Sequence, residues 1–193
     1  MKRFFKQNYA LVMGIALPLA LIAVFFLAGK ASVMSVPAPQ YDAVFATNYS
    51  PNSANTPYRI GIDDGKLYIR YRRPKTGKVP RYLREPVIYV FDHKALYAKK
   101  IDIDFQNVVD GKIMDPELDA LNRSRINADP KSPDGYIFER YSRGGSGLFG
   151  GLFGWGRYNR GTHVLRKGVR TVPVVGARAI SAYSTHFIGW IEK

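Results

Sequence analysis

There is no cysteine in this chain of 193 residues, which excludes a disulfide framework, thiolate metal sites, iron–sulfur ligation and a cysteine nucleophile. Histidine is scarce too: His93, His163 and His186 are the full set, and their spacing fits neither a metal-binding helix motif nor a zinc finger. Each reads as a structural or surface histidine. Nucleophilic catalysis would therefore need a Ser or Thr activated by one of these rings, and no such pair is marked in the sequence. The chain calls for no cofactor and no metal, and the fold must stand on packing.

Negative charge is the next shortage. Fifteen Asp and Glu stand against 29 Lys and Arg, a net charge of +14 with a pI near 10.0, and such an imbalance points to an anionic partner. Nucleic acid fits the charge but lacks an accompanying binding motif. Anionic membrane lipid, or an integral-membrane protein partner, is the partner expected.

Charge of either sign is missing between Asn8 and Gly29, NYALVMGIALPLALIAVFFLAG. At 1.5 Å per residue this run spans roughly 33 Å, enough for a hydrocarbon core of about 30 Å. It is too long for the apolar part of a cleaved signal peptide, although Gly29-Lys30-Ala31 offers a weak cleavage site. Pro18 lies mid-span, where it predicts a kink and not a break. Lys2, Arg3 and Lys6 precede the span and Lys30 alone follows closely, so the positive-inside rule places the N-terminus in the cytoplasm. The expected organisation is a cytoplasmic N-terminus (1–7), a transmembrane anchor (8–29), a tether (30–40) and an extracytoplasmic β-rich domain (41–193). The expected location is a cell inner membrane with a periplasmic or extracellular C-terminal domain.

Beyond the tether, apolar residues recur with a period near two, and Tyr, Val and Ile abound, which argues for strands. The clearest unit is YRIGIDDGKLYIRYR, Tyr58 to Arg72, where two alternating runs flank Asp63-Asp64-Gly65, residues that tolerate the positive φ of a tight hairpin. Further strands are predicted over 41–47, 87–91, 100–105, 136–141, 162–167, 170–175, 178–183 and 186–191. One helix of two or three turns is predicted in MDPELDALNRSR, with Asp115 as cap, Pro116 at the first helical position and Glu117 and Asp119 at the positive dipole end. No fixed-period repeat supports a propeller or solenoid. The fold class is mainly β: an N-terminal transmembrane helix, then one β-sandwich or irregular barrel domain with one short helix.

Basic residues gather in two blocks free of carboxylates, one between Asp64 and Glu85 that includes Arg72, Arg73 and Arg81, the other between Glu139 and Glu192 that includes Arg143 and Arg157. They read either as solvated strand faces that deter edge pairing or, if they converge, as one binding face. Within the second block, SRGGSGLFGGLFGWGR holds seven glycines, Leu148, Phe149, Leu152, Phe153 and Trp155 between Arg143 and Arg157. A helix there would put the Leu and Phe side chains on one side, at a cost of about 1 kcal/mol per glycine. An apolar surface offsets that, since burying each large side chain contributes roughly 1.5–3 kcal/mol. Self-packing, contact with a membrane or partner, and a mobile loop are the three readings open for it.

Catalytic signatures fail on context. Gly145 to Gly150 matches G-x-G-x-x-G, yet neither a buried strand before it nor a helix after it is indicated. No nucleophile elbow is present. Asp102 with Asp104, and Asp63 with Asp64, read as strand-face and turn carboxylates. The function expected is that of a membrane-anchored, non-enzymatic accessory or assembly module of an envelope complex, contacting lipid or an integral-membrane partner through its basic surface and Gly/Phe loop. A membrane-tethered hydrolase acting on an envelope polymer is the alternative.

Overall fold

The computed structural model describes residues 8–51, 57–72, 85–140, 163–176 and 185–192. The chain falls into two units, one built on the N-terminal helix and one on the strands. Helix α1, Tyr9–Met34, continues through Pro18. Its stretch Tyr9–Leu27 is long and apolar enough to cross a membrane. Its apolar side chains point outward all round, with Leu11 and Leu27 both 64% exposed, an arrangement that water does not support.

The second unit is mainly β, with twelve strands in three antiparallel sheets among the described residues. The strands are β1 (Asp42–Thr47), β2 (Tyr58–Asp63), β3 (Lys66–Tyr71), β4 (Val87–Asp92), β5 (Tyr97–Ile101), β6 (Val108–Val109), β7 (Lys112–Ile113), β8 (Arg125–Asn127), β9 (Ile137–Arg140), β10 (His163–Lys167), β11 (Arg170–Pro173) and β12 (His186–Glu192). A five-stranded sheet of order β5-β4-β1-β12-β8 lies between a four-stranded sheet, β2-β3-β7-β6, and a three-stranded one, β11-β10-β9. The expected sandwich thus has three layers.

Two cores follow from that layering. Val44, Ala46, Ile88 and Ile126 on one face of the central sheet pack with Leu67, Ile69 and Ile113 of the four-stranded sheet. Ala43, Phe45, Phe91 and Trp190 on the other face pack with Leu165, Val172 and Tyr136 of the three-stranded side. Adjacent residues of β1 therefore serve opposite cores, as the two-residue period of a strand requires. A ring cluster lines the second core: Phe45 stacks on Tyr89 at 5.4 Å, and Phe138 sits 5.2 Å from Phe45, 5.2 Å from His163 and 5.4 Å from Phe187.

Turn chemistry sets the hairpins. Asp64 and Gly65 have φ of 49° and 72°, and Asp110 and Gly111 have 48° and 74°, the paired positive values of a two-residue hairpin turn. The first joins β2 to β3 and the second joins β6 to β7. The helix expected after Met114 is present as α2 (Pro116–Leu121), capped by Asp115, but it is shorter than two turns. Asn122 ends it and spends its carboxamide on β3, accepting from the Leu67 N–H at 2.7 Å and donating to the Leu67 carbonyl at 2.9 Å. The strand expected over 100–105 starts earlier, at Tyr97, and stops at Ile101. Beyond it Asp104 closes a turn onto the Gln106 N–H and donates its own N–H to Asp115.

The outer edge of β2 is stopped by a side chain. The hydroxyl of Tyr49, a residue only 4% exposed, accepts from the Ile60 N–H at 3.1 Å and donates to the Ile60 carbonyl at 3.4 Å. An edge strand with free backbone groups is a template for pairing with another chain. Tyr49→Phe is expected to lower stability by about 1–2 kcal/mol and to promote self-association. Denaturant titration and light scattering check both parts; an unchanged midpoint together with a monodisperse variant would count against the edge-capping role.

Candidate functional site

The four-stranded sheet buries one face and exposes the other. On β2 and β3, Leu67 and Ile69 are buried while Arg59, Lys66 and Arg70 are exposed. Cross-strand register then lines up a row over all four strands: Arg59 pairs with Arg70, Arg70 with Lys112, and Lys112 with Val109. Three cations thus stand side by side on neighbouring strands, about 4.8 Å apart. Directly opposed like charges cost a sheet roughly 0.2–1 kcal/mol per pair.

Among the described residues none of the three cations forms an ion pair. Every Asp and Glu of the chain lies among the described residues, and the ion pairs formed among those residues are His93–Asp42, Lys100–Asp102 and Arg166–Glu139. Arg70 is held instead by an aromatic ring, its guanidinium carbon 4.8 Å from the centre of Tyr68, an attraction on the order of 0.5–1 kcal/mol at an exposed site. Tyr68 can lie across the sheet because its partner on β2 is Gly61, where a Cβ would come within 2.6 Å of the Tyr68 hydroxyl oxygen.

Beside the row runs a groove of about 250 Å³. It follows from the brevity of β7, which pairs with β3 only through Lys112 and Arg70. Asn122 occupies the β3 edge at Leu67, and the groove lies between them, lined by Lys66, Tyr68, Arg70 and Lys112 together with Asp63 and Asp119. The neighbouring surface is apolar: Val109 and Met114 are 53% and 45% exposed.

Of the residues singled out from sequence, Arg72 is exposed at the end of β3, with its backbone N–H donated to the Pro57 carbonyl at 2.6 Å. Arg73, Arg81, Arg143, Arg157, Leu148, Phe149, Leu152, Phe153 and Trp155 lie outside the described residues. Arg59 and Lys112 were not singled out. Arg59 follows from pairing the two runs of the hairpin across Asp64-Gly65, and Lys112 directly follows the second Asp-Gly turn.

His163 and His186 lie on strands and His93 in the turn after β4. Among the described residues, Asp42, Asp92 and His93 form the one group with metal-ligand spacing, their ligand atoms within 4.8 Å of one another. Their polar atoms close the β4–β5 turn: Asp42 Oδ1 accepts from the His93 N–H at 2.8 Å and from His93 Nδ1–H at 2.6 Å, while Asp92 accepts from the Lys94 and Ala95 N–H groups. Those two backbone hydrogen bonds hold the Asp92 carboxyl below its usual pKa. Burial pushes the Tyr58 hydroxyl up, helped by the Glu85 carboxylate and by Tyr71.

Burial lowers the pKa of His163, with Arg140 adding to the effect, and burial alone lowers that of His186. Both rings are favoured neutral in the folded chain. The unfolded chain takes up these protons near pH 6.5 and the folded chain only at lower pH. Stability should therefore hold above about pH 6.5 and fall as the pH drops through that value. Denaturant titrations at stepped pH are expected to show this decline and a shallower one in His186→Gln; equal slopes for the two proteins would overturn the assignment.

The chain matches no protein-family model, no curated protein and no solved structure. The functional reading therefore comes from the surface itself.

Proposed function

We propose that the protein is a single-pass, membrane-anchored, non-enzymatic accessory module of a cell-envelope complex, its N-terminus cytoplasmic and its β-domain outside the cytoplasm. Its cationic sheet face contacts anionic lipid or an integral-membrane partner. The observation that carries this reading is the row Arg59–Arg70–Lys112, three neighbouring cations, none of them in an ion pair among the described residues. A fold that keeps such repulsion gains from it when an anionic surface supplies the counter-charge. The apolar helix α1 supports the anchor, and the exposed Val109 and Met114 beside the row suit an interface of head groups and acyl chains.

The hydrolase alternative would rest on the two carboxylates that line the groove, Asp63 and Asp119, both exposed. The test uses the full chain in phosphatidylcholine nanodiscs and measures its binding to vesicles with and without phosphatidylglycerol. Arg59→Glu/Arg70→Glu/Lys112→Glu is expected to weaken binding to the anionic vesicles by at least about ten-fold, and added salt should weaken wild-type binding in the same sense. Equal binding by the wild-type and reversed chains would remove the sheet face from the proposal.

A further inference from the structure

We infer that the groove beside the cationic row is a lipid headgroup site, selective for a phosphodiester whose headgroup carries a hydrogen-bond donor, as ethanolamine and glycerol headgroups do and choline does not. The inference rests on the proposed role of the cationic face and adds to it a specific ligand chemistry.

Three observations define that chemistry. On one side, Lys66, Arg70 and Lys112 line the groove, none of them in an ion pair, with Asp63 directly across the hairpin from Lys66. Arg70 is pre-positioned over Tyr68, which itself rests across Gly61. A guanidinium held in place loses little freedom when it takes two phosphate oxygens, the geometry for which arginine is suited.

Two carboxylates, Asp63 and Asp119, line the same groove. An ionised carboxylate only accepts hydrogen bonds and repels a bare anion. A ligand that is phosphate and nothing more therefore meets a divided site. One with an ammonium or hydroxyl group beyond its phosphate satisfies both sets of groups. Asn122 does not compete for that donor, because its carboxamide is committed to the Leu67 backbone.

Size and surroundings point to a lipid. A groove of about 250 Å³, near the lower end of ligand-site volumes, is of a size to take a lipid headgroup. The exposed apolar side chains of Val109 and Met114 nearby match the acyl-glycerol part of a lipid and offer nothing to a free phosphate ester.

The experiment titrates the full chain in maltoside micelles with short-chain phosphatidylethanolamine, phosphatidylglycerol and phosphatidylcholine, and with soluble phosphoethanolamine, reading affinities by calorimetry. The ethanolamine and glycerol lipids should bind at least about five-fold more tightly than the choline lipid, and soluble phosphoethanolamine more weakly than its lipid. Asp63→Asn/Asp119→Asn should abolish the preference for ethanolamine over choline while phosphatidylglycerol still binds. Arg70→Ala should weaken every lipid by about ten-fold. Equal affinity for choline and ethanolamine lipids in the wild type, or a preference that survives the double Asn change, would overturn the headgroup site and leave the anionic-surface role standing. Soluble phosphoethanolamine binding as tightly as the lipid would overturn the lipid source. Loss of charge-dependent vesicle binding in the nanodisc experiment is the separate result that removes the underlying role.

Discussion

Trp190→Ala is expected to lower the stability of the β-domain by about 3–5 kcal/mol, a large part of the roughly 5–15 kcal/mol that holds a typical domain together. Trp190 is fully buried in the second core, 5.0 Å from Phe187. On β12 it stands between Ala43 of β1 and Asn127 of β8. The small Ala43 gives the indole its room. With paired strands on both sides, the backbone cannot close around the missing ring, so most of the cavity stays open. Denaturant titration followed by far-ultraviolet circular dichroism checks this, and Trp190→Phe should recover part of the loss. A decrease below about 1 kcal/mol would mean that the core tolerates the void.

Asp115→Ala comes next, at about 2–4 kcal/mol from the lost helix cap and the stranded donor together. Asp115 is only 6% exposed, and its two oxygens serve different elements. Oδ1 accepts from the Glu117 and Leu118 N–H groups at the start of α2, and Oδ2 from the Asp104 N–H at 2.8 Å. Removal leaves the first turn of α2 uncapped and the loop after β5 without its acceptor. Asp115→Asn keeps one acceptor and should cost less. Hydrogen exchange of the Glu117, Leu118 and Asp104 amides reads the two halves separately: all three should speed up in the Ala variant. Unchanged protection at Asp104 would show that the loop has another hold.

The cationic row carries a cost in the absence of a partner. Opposed cations weaken the sheet, so Arg59→Gln or Lys112→Gln taken singly should leave the domain slightly more stable while weakening its binding. A surface residue that reduces stability and improves binding is serving the contact.

Elements with strong local chemistry were legible in the sequence. The hairpin from Tyr58 to Tyr71, its Asp-Gly turn and the Arg59–Arg70 pairing follow from alternation about a two-residue turn, and the cap and first residue of α2 follow from Asp115-Pro116. The β6–β7 hairpin has the same Asp-Gly turn, but with strands of two residues it shows no alternation to notice. Strand β8 shares only Arg125 with the stretch of the predicted helix and is too short to show alternation, and what ends α2 before it is a bond from Asn122 to Leu67, a residue 55 positions away. The layering was equally hidden. In β1 every residue from Ala43 to Thr47 is buried, and such a run does not reveal that two different sheets cover it. Most of the candidate site residues, including the whole Gly/Phe loop, lie outside the described segments, so the sheet face takes their place in the functional reading.

Strand β1 lies in the middle of the central sheet, and one of its two partners, β12, is the last strand of the domain. During synthesis the nascent chain presents β1 early and must hold it unpaired on that side until the other strands have followed. The β1–β12 pairing thus makes closure of the central sheet wait for a strand that the ribosome delivers long after β1.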